Sequence, residues 1–364
     1  MGLFQKFFPK SIATVLVASF SLTQFAWAEP LDYQKDELAD EPAGLSSRAL
    51  NQMQIEHLNL VQHQNDLLEL QNIPQPSPII KAPNAVPETY DGSGRLLGET
   101  LNGRMTYYVG YTDKGFSDLA QAIAFAKNGE GVQLAEGAYQ ISKTIKVAGK
   151  DLLIRSEGSR GSTIIQGVPG VFGFMQIDSA SKISFENLTF KDFKVDGRYH
   201  VSRNGGVFYV AGNSTLKISN CALEDNAGDF GGAIFSSSSM VSVQNSLFLN
   251  NYGIGGSGAI RAVNTKLDIS SSTFDHNTAG YYGAAAIGLS QTSTALIESS
   301  QFIGNVDRAK QWGESYGLEG TVVVTQGGGS ATIRRSTFSK NGSSLEHTLR
   351  AVQTGAIVDR KSVV

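Results

Sequence analysis

Few residues in this chain have the type and spacing to do chemistry, and Arg261 is the one that stands out. Strand alternation places Tyr209, Phe235, Arg261, Gly288 and Val323 in one outward column. The same alternation turns Phe208/Val210, Ile234, Ile260/Ala262, Ile287/Leu289 and Val322/Val324 inward. Arg261 is the sole basic residue of that column, and the column holds no carboxylate. Hydrolysis of a glycosidic bond usually needs two carboxyl groups about 5–10 Å apart. Elimination needs a base, often Arg or Lys, and a cation or Arg to neutralise a substrate carboxylate. The nearest acids are Asp229 and Glu319, each just before its strand, so Arg261 with Asp229 is the catalytic pairing on offer. Glu224, Asp225 and Asp275 sit beside asparagines and read as solubilising turns. Tyr199, Tyr252, Tyr281, Tyr282, Trp312 and Tyr316 occupy the loops leading into the strands. With outward Tyr209 and Phe235 they form an aromatic border able to stack on sugar rings or on a partner surface.

These positions recur because the chain repeats itself between Phe185 and Ile357. Each unit has a short strand, a large apolar residue, two variable residues, an Asn, a loop and a Gly-Ala-Ile-like strand. Clear copies are Val243 to Asn251, Ile269 to Asn277, Ile297 to Asn305 and Ile333 to Asn341. The spacings of Asn226, Asn251, Asn277, Asn305 and Asn341 are 25, 26, 28 and 36 (251−226, 277−251, 305−277, 341−305). A period in the mid-twenties that stretches without breaking means equal rungs with loops of variable length. The units are rich in Gly, Ser, Thr, Asn, Val, Ile and Phe, which favours strands and turns over helix. The expected fold is all-β: short strands stacked about 4.8 Å apart in a parallel coil. Like residues then pile into columns. Leu188, Cys221, Ser246, Ser272, Ser300 and Ser336 form one, and Asn187, Asn220 and Asn245 another that continues as Ser271, Ser299 and Arg335. The five repeat asparagines form a structural ladder, at corners where Asn tolerates the left-handed conformation and bonds neighbouring backbone.

With these motifs the chain resembles the right-handed parallel β-helix superfamily, which includes proteins that act on pectin. The resemblance covers about Tyr107 to Val358. The paired signals F-x-x-N and G-G-A-I resemble the repeats of chlamydial-type polymorphic outer-membrane proteins over Phe190 to Ile357. Gly231-Gly232-Ala233-Ile234 is the full form; Gly258-Ala259-Ile260 and Gly355-Ala356-Ile357 are near copies, Ala285-Ala286-Ile287 and Gly320-Thr321-Val322 looser ones. In enzymes of the superfamily the site lies outside the solenoid, on the strand after the long loop. The Asn-Thr-Asp and Gly-His-Gly pattern of polygalacturonases and the paired Asp signatures of pectin methylesterases are not found here.

Residues 1–28 read as a secretory signal peptide: Lys6 and Lys10, an apolar Ile12 to Phe20, then Ala26-Trp27-Ala28. Residues 29–103 read as a polar leader, with a helix at about 46–71 and a Pro-rich linker over 72–103. Phe116-Ser117-Asp118-Leu119 opens a helix that resembles the cap closing many pectate-lyase-like coils. The β-helix is expected over 104–358, truncated, with 359–364 a non-native tail. One Cys excludes an internal disulfide, and five scattered His match no zinc spacing. No metal site is expected, and calcium would enter only if the chain were a lyase. A net charge of −3 gives no case for nucleic acid, and no membrane span is expected in the mature part. The expected function is an exported protein of the outer membrane, cell surface or medium. It would be adhesin-like, binding a polysaccharide or a host or cell-surface partner through loops on one side of the solenoid. The competing reading is a polysaccharide lyase or glycoside hydrolase.

Overall fold

The computed structural model describes residues 88–171, 173–194, 205–280, 283–307, 322–341, 349–352 and 356–360. The signal peptide, the helix at 46–71, the linker up to residue 87 and residues 361–364 lie outside the described residues. So do Tyr199, Tyr281, Tyr282, Trp312, Tyr316 and Glu319. All described residues fall in the compact unit Gln62–Val364.

The described chain winds as a parallel β-coil. Each turn visits a first sheet, a second, often a two-residue strand of a fourth, then a third. One turn runs Thr215–Ser219, Ala222–Glu224, Ala227–Gly228 and Ile234–Ser237, and Met240–Gln244 starts the next. Among the described residues the first sheet has 12 strands, the second and third have 8 each, and the fourth has 4. Register between turns is regular: Phe208 pairs with Ile234, Ile234 with Ile260, and Ile260 with Ile287. Alternate residues point inward, so the core is a dry column of Leu, Ile, Val and Phe. Phe248, Phe274, Phe302 and Phe338 stack through it with centroids 4.7, 4.9 and 4.7 Å apart and planes within 9°.

The corners are held by side chains that repeat with the coil. Asn226, Asn251, Asn277 and Asn305 are buried, and each Nδ2 donates to the next asparagine's Oδ1 at 2.9–3.1 Å. The same Nδ2 groups donate back to carbonyls of the preceding turn, Asn251 to Leu223 at 2.9 Å and Asn277 to Phe248 at 2.9 Å. These asparagines are not themselves in the left-handed region. The residue before each one is: Asp225, Asn250, His276, Gly304 and Lys340 have φ of 55°, 54°, 50°, 60° and 54°. The chain reverses at that preceding position, which frees the Asn amide to reach along the stack. A second ladder links Cys221, Ser246, Ser272, Ser300 and Ser336, each backbone N–H donating to the next hydroxyl at 3.1–3.2 Å. Here the residue before each is again left-handed, including Asn220, Asn245, Ser271, Ser299 and Arg335.

The first described strand, Glu88–Tyr90, lies inside the stretch that proline content assigns to the linker. Glu88–Tyr90 and Leu96–Leu101 form an antiparallel pair, and Leu96–Leu101 pairs in turn with Arg104–Val109. The turn chemistry of Asp91 accounts for this: its Oδ1 accepts from the Ser93 and Arg95 N–H groups at 2.8 and 3.0 Å. The cap helix is Leu119–Phe125, with Asp118 accepting from the Gln121 N–H at its start. Lys150 Nζ closes the other end, 2.8, 2.6 and 3.0 Å from the Ile123, Ala124 and Ala126 carbonyls. At the far end, Leu349–Val352 continues the third sheet and Ala356–Arg360 the first. Ala356 and Ile357 therefore lie in the first sheet, not at the third-sheet place of the Gly-Ala-Ile motif. The strand Ala356–Arg360 runs through Asp359 and Arg360, residues that the break in pattern assigns to the tail.

Candidate functional site

The outward column of the third sheet runs Gln176, Tyr209, Phe235, Arg261, Gly288 and Val324. Val323 is not in it: it pairs with Ile287 on the inward side, and Val324 takes the outward place. The same pair of bonds recurs at each turn: the Ala233 and Ile234 N–H groups reach the Ala259 carbonyl, and the Ala286 and Ile287 N–H groups reach the Val322 carbonyl, so Val322 stands where Ala286 does one turn earlier. Val324 is buried and packs on Ala284. The half-buried part of the column is thus Gln176, Tyr209, Phe235 and Arg261.

Tyr209 and Phe235 stack with centroids 5.7 Å apart and planes 9° from parallel, because adjacent turns put them in register. Phe230, from the loop entering the same strand, adds a third ring 6.2 Å from Phe235. Arg261 stands one turn further along and leans over Gly288. A Cβ built on Gly288 would lie 3.2 Å from Arg261 Nη1 and 2.2 Å from Ser257 Oγ. Gly288 therefore makes a notch into which a guanidinium and a hydroxyl converge. The Ser257 hydroxyl is fully buried and has no hydrogen-bond partner.

The loops that present this column pack backbone on backbone. A Cβ at Gly232 would meet the Gly258 carbonyl oxygen at 1.9 Å, so the G-G-A-I glycine is there for close approach between turns. Gly205-Gly206-Val207-Phe208 occupies the same place one turn earlier, a copy the sequence reading misses because Val-Phe replaces Ala-Ile. Asp229 is buried in this loop layer, and its Oδ1 lies 3.0 Å from where a Cβ on Gly255 would stand. Tyr252 starts a fourth-sheet strand, Tyr252–Gly253, one turn on from Ala227. Glu224 and Asp275 belong to second-sheet strands and Asp225 to the following turn, where it accepts from Asn250 Nδ2 at 3.3 Å. None of the three is in the strands that carry Arg261. Among the described residues, no three His, Cys, Asp or Glu group as a metal site, and no helix is long and apolar enough to cross a membrane.

A second polar cluster, on the first sheet near the cap, escapes a reading based on repeats. Tyr108 and Tyr111 meet edge to face at 5.1 Å beneath Lys114, whose Nζ is 3.8 Å from the Tyr108 ring centroid. The Tyr108 hydroxyl donates to Glu99, and the Tyr111 hydroxyl to Glu157 Oε2 at 2.6 Å. Gln133 Nε2 reaches Tyr111 at 3.2 Å, and Arg155 donates to Gln133 Oε1 at 3.0 Å. Every polar group named here is answered within the cluster, so it works as a clamp on the first coils.

The family model described as "Right handed beta helix region" matches residues 160–338. No curated protein matches the chain. Among solved structures, pectin methylesterase PemA from Erwinia chrysanthemi is 13% identical, covering 70% of this chain and 88% of its own, with a TM-score of 0.35. PfbA, a surface adhesin of Streptococcus pneumoniae, is 12% identical over 70% of this chain and 86% of its own, with a TM-score of 0.34. A mannuronic acid specific polysaccharide family 6 lyase from human gut microbiota is 14% identical over 64% and 54%, with a TM-score of 0.36. None of the three assigns an activity to this chain.

Proposed function

From a right-handed β-helix region over residues 160–338, we propose an exported, adhesin-like protein that binds a glycan or a cell-surface partner without turning it over. The binding face is the outward column of the third sheet with its loops. One observation carries the reading: the stacked Tyr209–Phe235 pair is followed in register by Arg261 and the notch at Gly288. Half-buried rings offer apolar area, and a guanidinium beside them offers directional donors, a combination that suits sugar rings or a protein hot spot. The N-terminal signal-like residues and the resemblance to outer-membrane repeats support export to the surface.

The test is a screen of purified protein against immobilised glycans and soluble uronate polysaccharides. Turnover is read from unsaturated-product absorbance and reducing ends, with and without calcium. Binding without turnover is expected, and Phe235→Ala or Arg261→Ala should weaken it about tenfold at unchanged melting temperature. Turnover that Arg261→Ala abolishes would replace this reading with the lyase one.

A further inference from the structure

Among the described residues, Gly137–Ile141 ends the second sheet on the N-terminal side and pairs with a single neighbour, Thr163–Gly167. The first sheet's equivalent end is closed by the hairpin of Glu88–Tyr90 and Leu96–Leu101, and the cap helix turns Leu119, Ala122 and Ile123 into the core. Parallel ladders use alternate residues of a strand. The Gly137 N–H donates to Ser162 at 2.9 Å, and the Ile141 carbonyl accepts from Val168 at 3.1 Å. Gly137, Tyr139 and Ile141 therefore face the neighbouring strand, and the N–H and C=O groups of Ala138 and Gln140 point away from it. Both residues are exposed.

A groove of about 350 Å³ runs along that open side, between the strand and Gly110, Ser117, Asp118 and Leu119. Its floor is fixed, because the Tyr139 hydroxyl lies 3.1 Å from the Val109 carbonyl and 2.9 Å from the Ala135 carbonyl. Gly110 has no side chain to fill the space: a Cβ there would come within 2.1 Å of that hydroxyl. The rim carries exposed Asp118 and Glu136, and no Lys or Arg is among the lining residues. An unpaired edge beside an open acidic groove is what most proteins cover or blunt with charge.

We propose that this edge accepts an extended, basic peptide segment of a partner protein as an added strand. Main-chain bonds to Ala138 and Gln140 give affinity, and a Lys or Arg of the segment meets Asp118. The site is separate from the third-sheet face. The experiment uses the full chain and a labelled probe, acetyl-Thr-Lys-Val-Thr-Val-Lys-Thr-amide, with a control in which Glu replaces both Lys. Fluorescence anisotropy should show the basic probe binding at least tenfold tighter, and amide exchange across 137–141 should slow when it binds. Ala138→Pro removes a donor the ladder does not use, so it should cut affinity about tenfold at unchanged melting temperature. Asp118→Asn, which keeps the helix cap, should weaken the basic probe and leave the acidic one unaffected. Equal binding of both probes, no probe binding, or binding that leaves exchange across 137–141 unchanged would overturn the proposal. Protection before any probe is added would also overturn it, in favour of a second copy if it grows with protein concentration and of the chain's own residues 29–87 if it does not.

Discussion

Asn277 Nδ2 donates to the Phe248 carbonyl at 2.9 Å and to Asn305 Oδ1 at 3.0 Å, while its own Oδ1 accepts from the Asn251 N–H and Nδ2 at 3.1 and 2.9 Å. All four partners are shielded from water, so Asn277→Ala strands them, and a loss of roughly 2–4 kcal/mol is expected in denaturant melts. Asn277→Asp should cost more, and increasingly so above the carboxyl's titration range, because an ionised side chain sets oxygen against the Phe248 carbonyl. Thr325 makes the opposite case. It sits inward beneath Leu289, is fully buried, and its hydroxyl has no hydrogen-bond partner. Thr325→Val keeps the shape and removes the orphaned hydroxyl, so it should raise stability by about 1 kcal/mol. A destabilised variant would show that the hydroxyl has a role.

Among the elements, the hairpin and first coils are bound together by tyrosines whose phenols titrate late. Burial pushes the Tyr111 hydroxyl from the usual 10.0 up to about 12, with Glu157 adding to the rise. Burial and Glu99 raise Tyr108, burial and Glu130 raise Tyr107, and burial raises Tyr139. A folded-state value above the unfolded one gives stability that is complete below the unfolded value and lost as pH climbs through the folded one. Alkaline melts should therefore lose stability between pH 10.0 and about 12, and Tyr111→Phe should flatten that loss. An identical pH profile in the variant would show that the clamp contributes nothing. The same region explains what the sequence could and could not disclose. Turns marked by Phe-x-x-Asn and Gly-Gly-Ala-Ile were legible because each residue type repeats for one physical reason per corner. The Glu88–Leu101 hairpin was not, since it occurs once and its sole signal is the Asp91-Gly92 turn. Val324 was missed because one residue's change in loop length shifts a strand's inward and outward sets without altering its composition. Phe230 lies in an irregular loop whose direction no period reveals, and Ser257 takes the place that Gly205 and Gly231 hold in the preceding turns, where no side chain marks it.

For the whole molecule, the chain offers a single built-in reporter, Cys221, the sole cysteine. It is fully buried midway along the stack, and burial pushes its thiol up to about 12. A neutral-pH thiol reagent should label it only as fast as the coil unfolds, because turns on both sides must part before the sulfur is reached. Labelling that outruns unfolding in parallel denaturant series would mean the coil opens locally at that turn. The asparagine column carries a further consequence for how such a chain can change through descent. The turns of Asn251, Asn277 and Asn305 each receive a side-chain donor from one neighbour and give an identical one to the other, so the two faces of these turns match. Duplicating or deleting a whole repeat would leave the seam as well bonded as before, and length can drift across generations while the cross-section stays fixed.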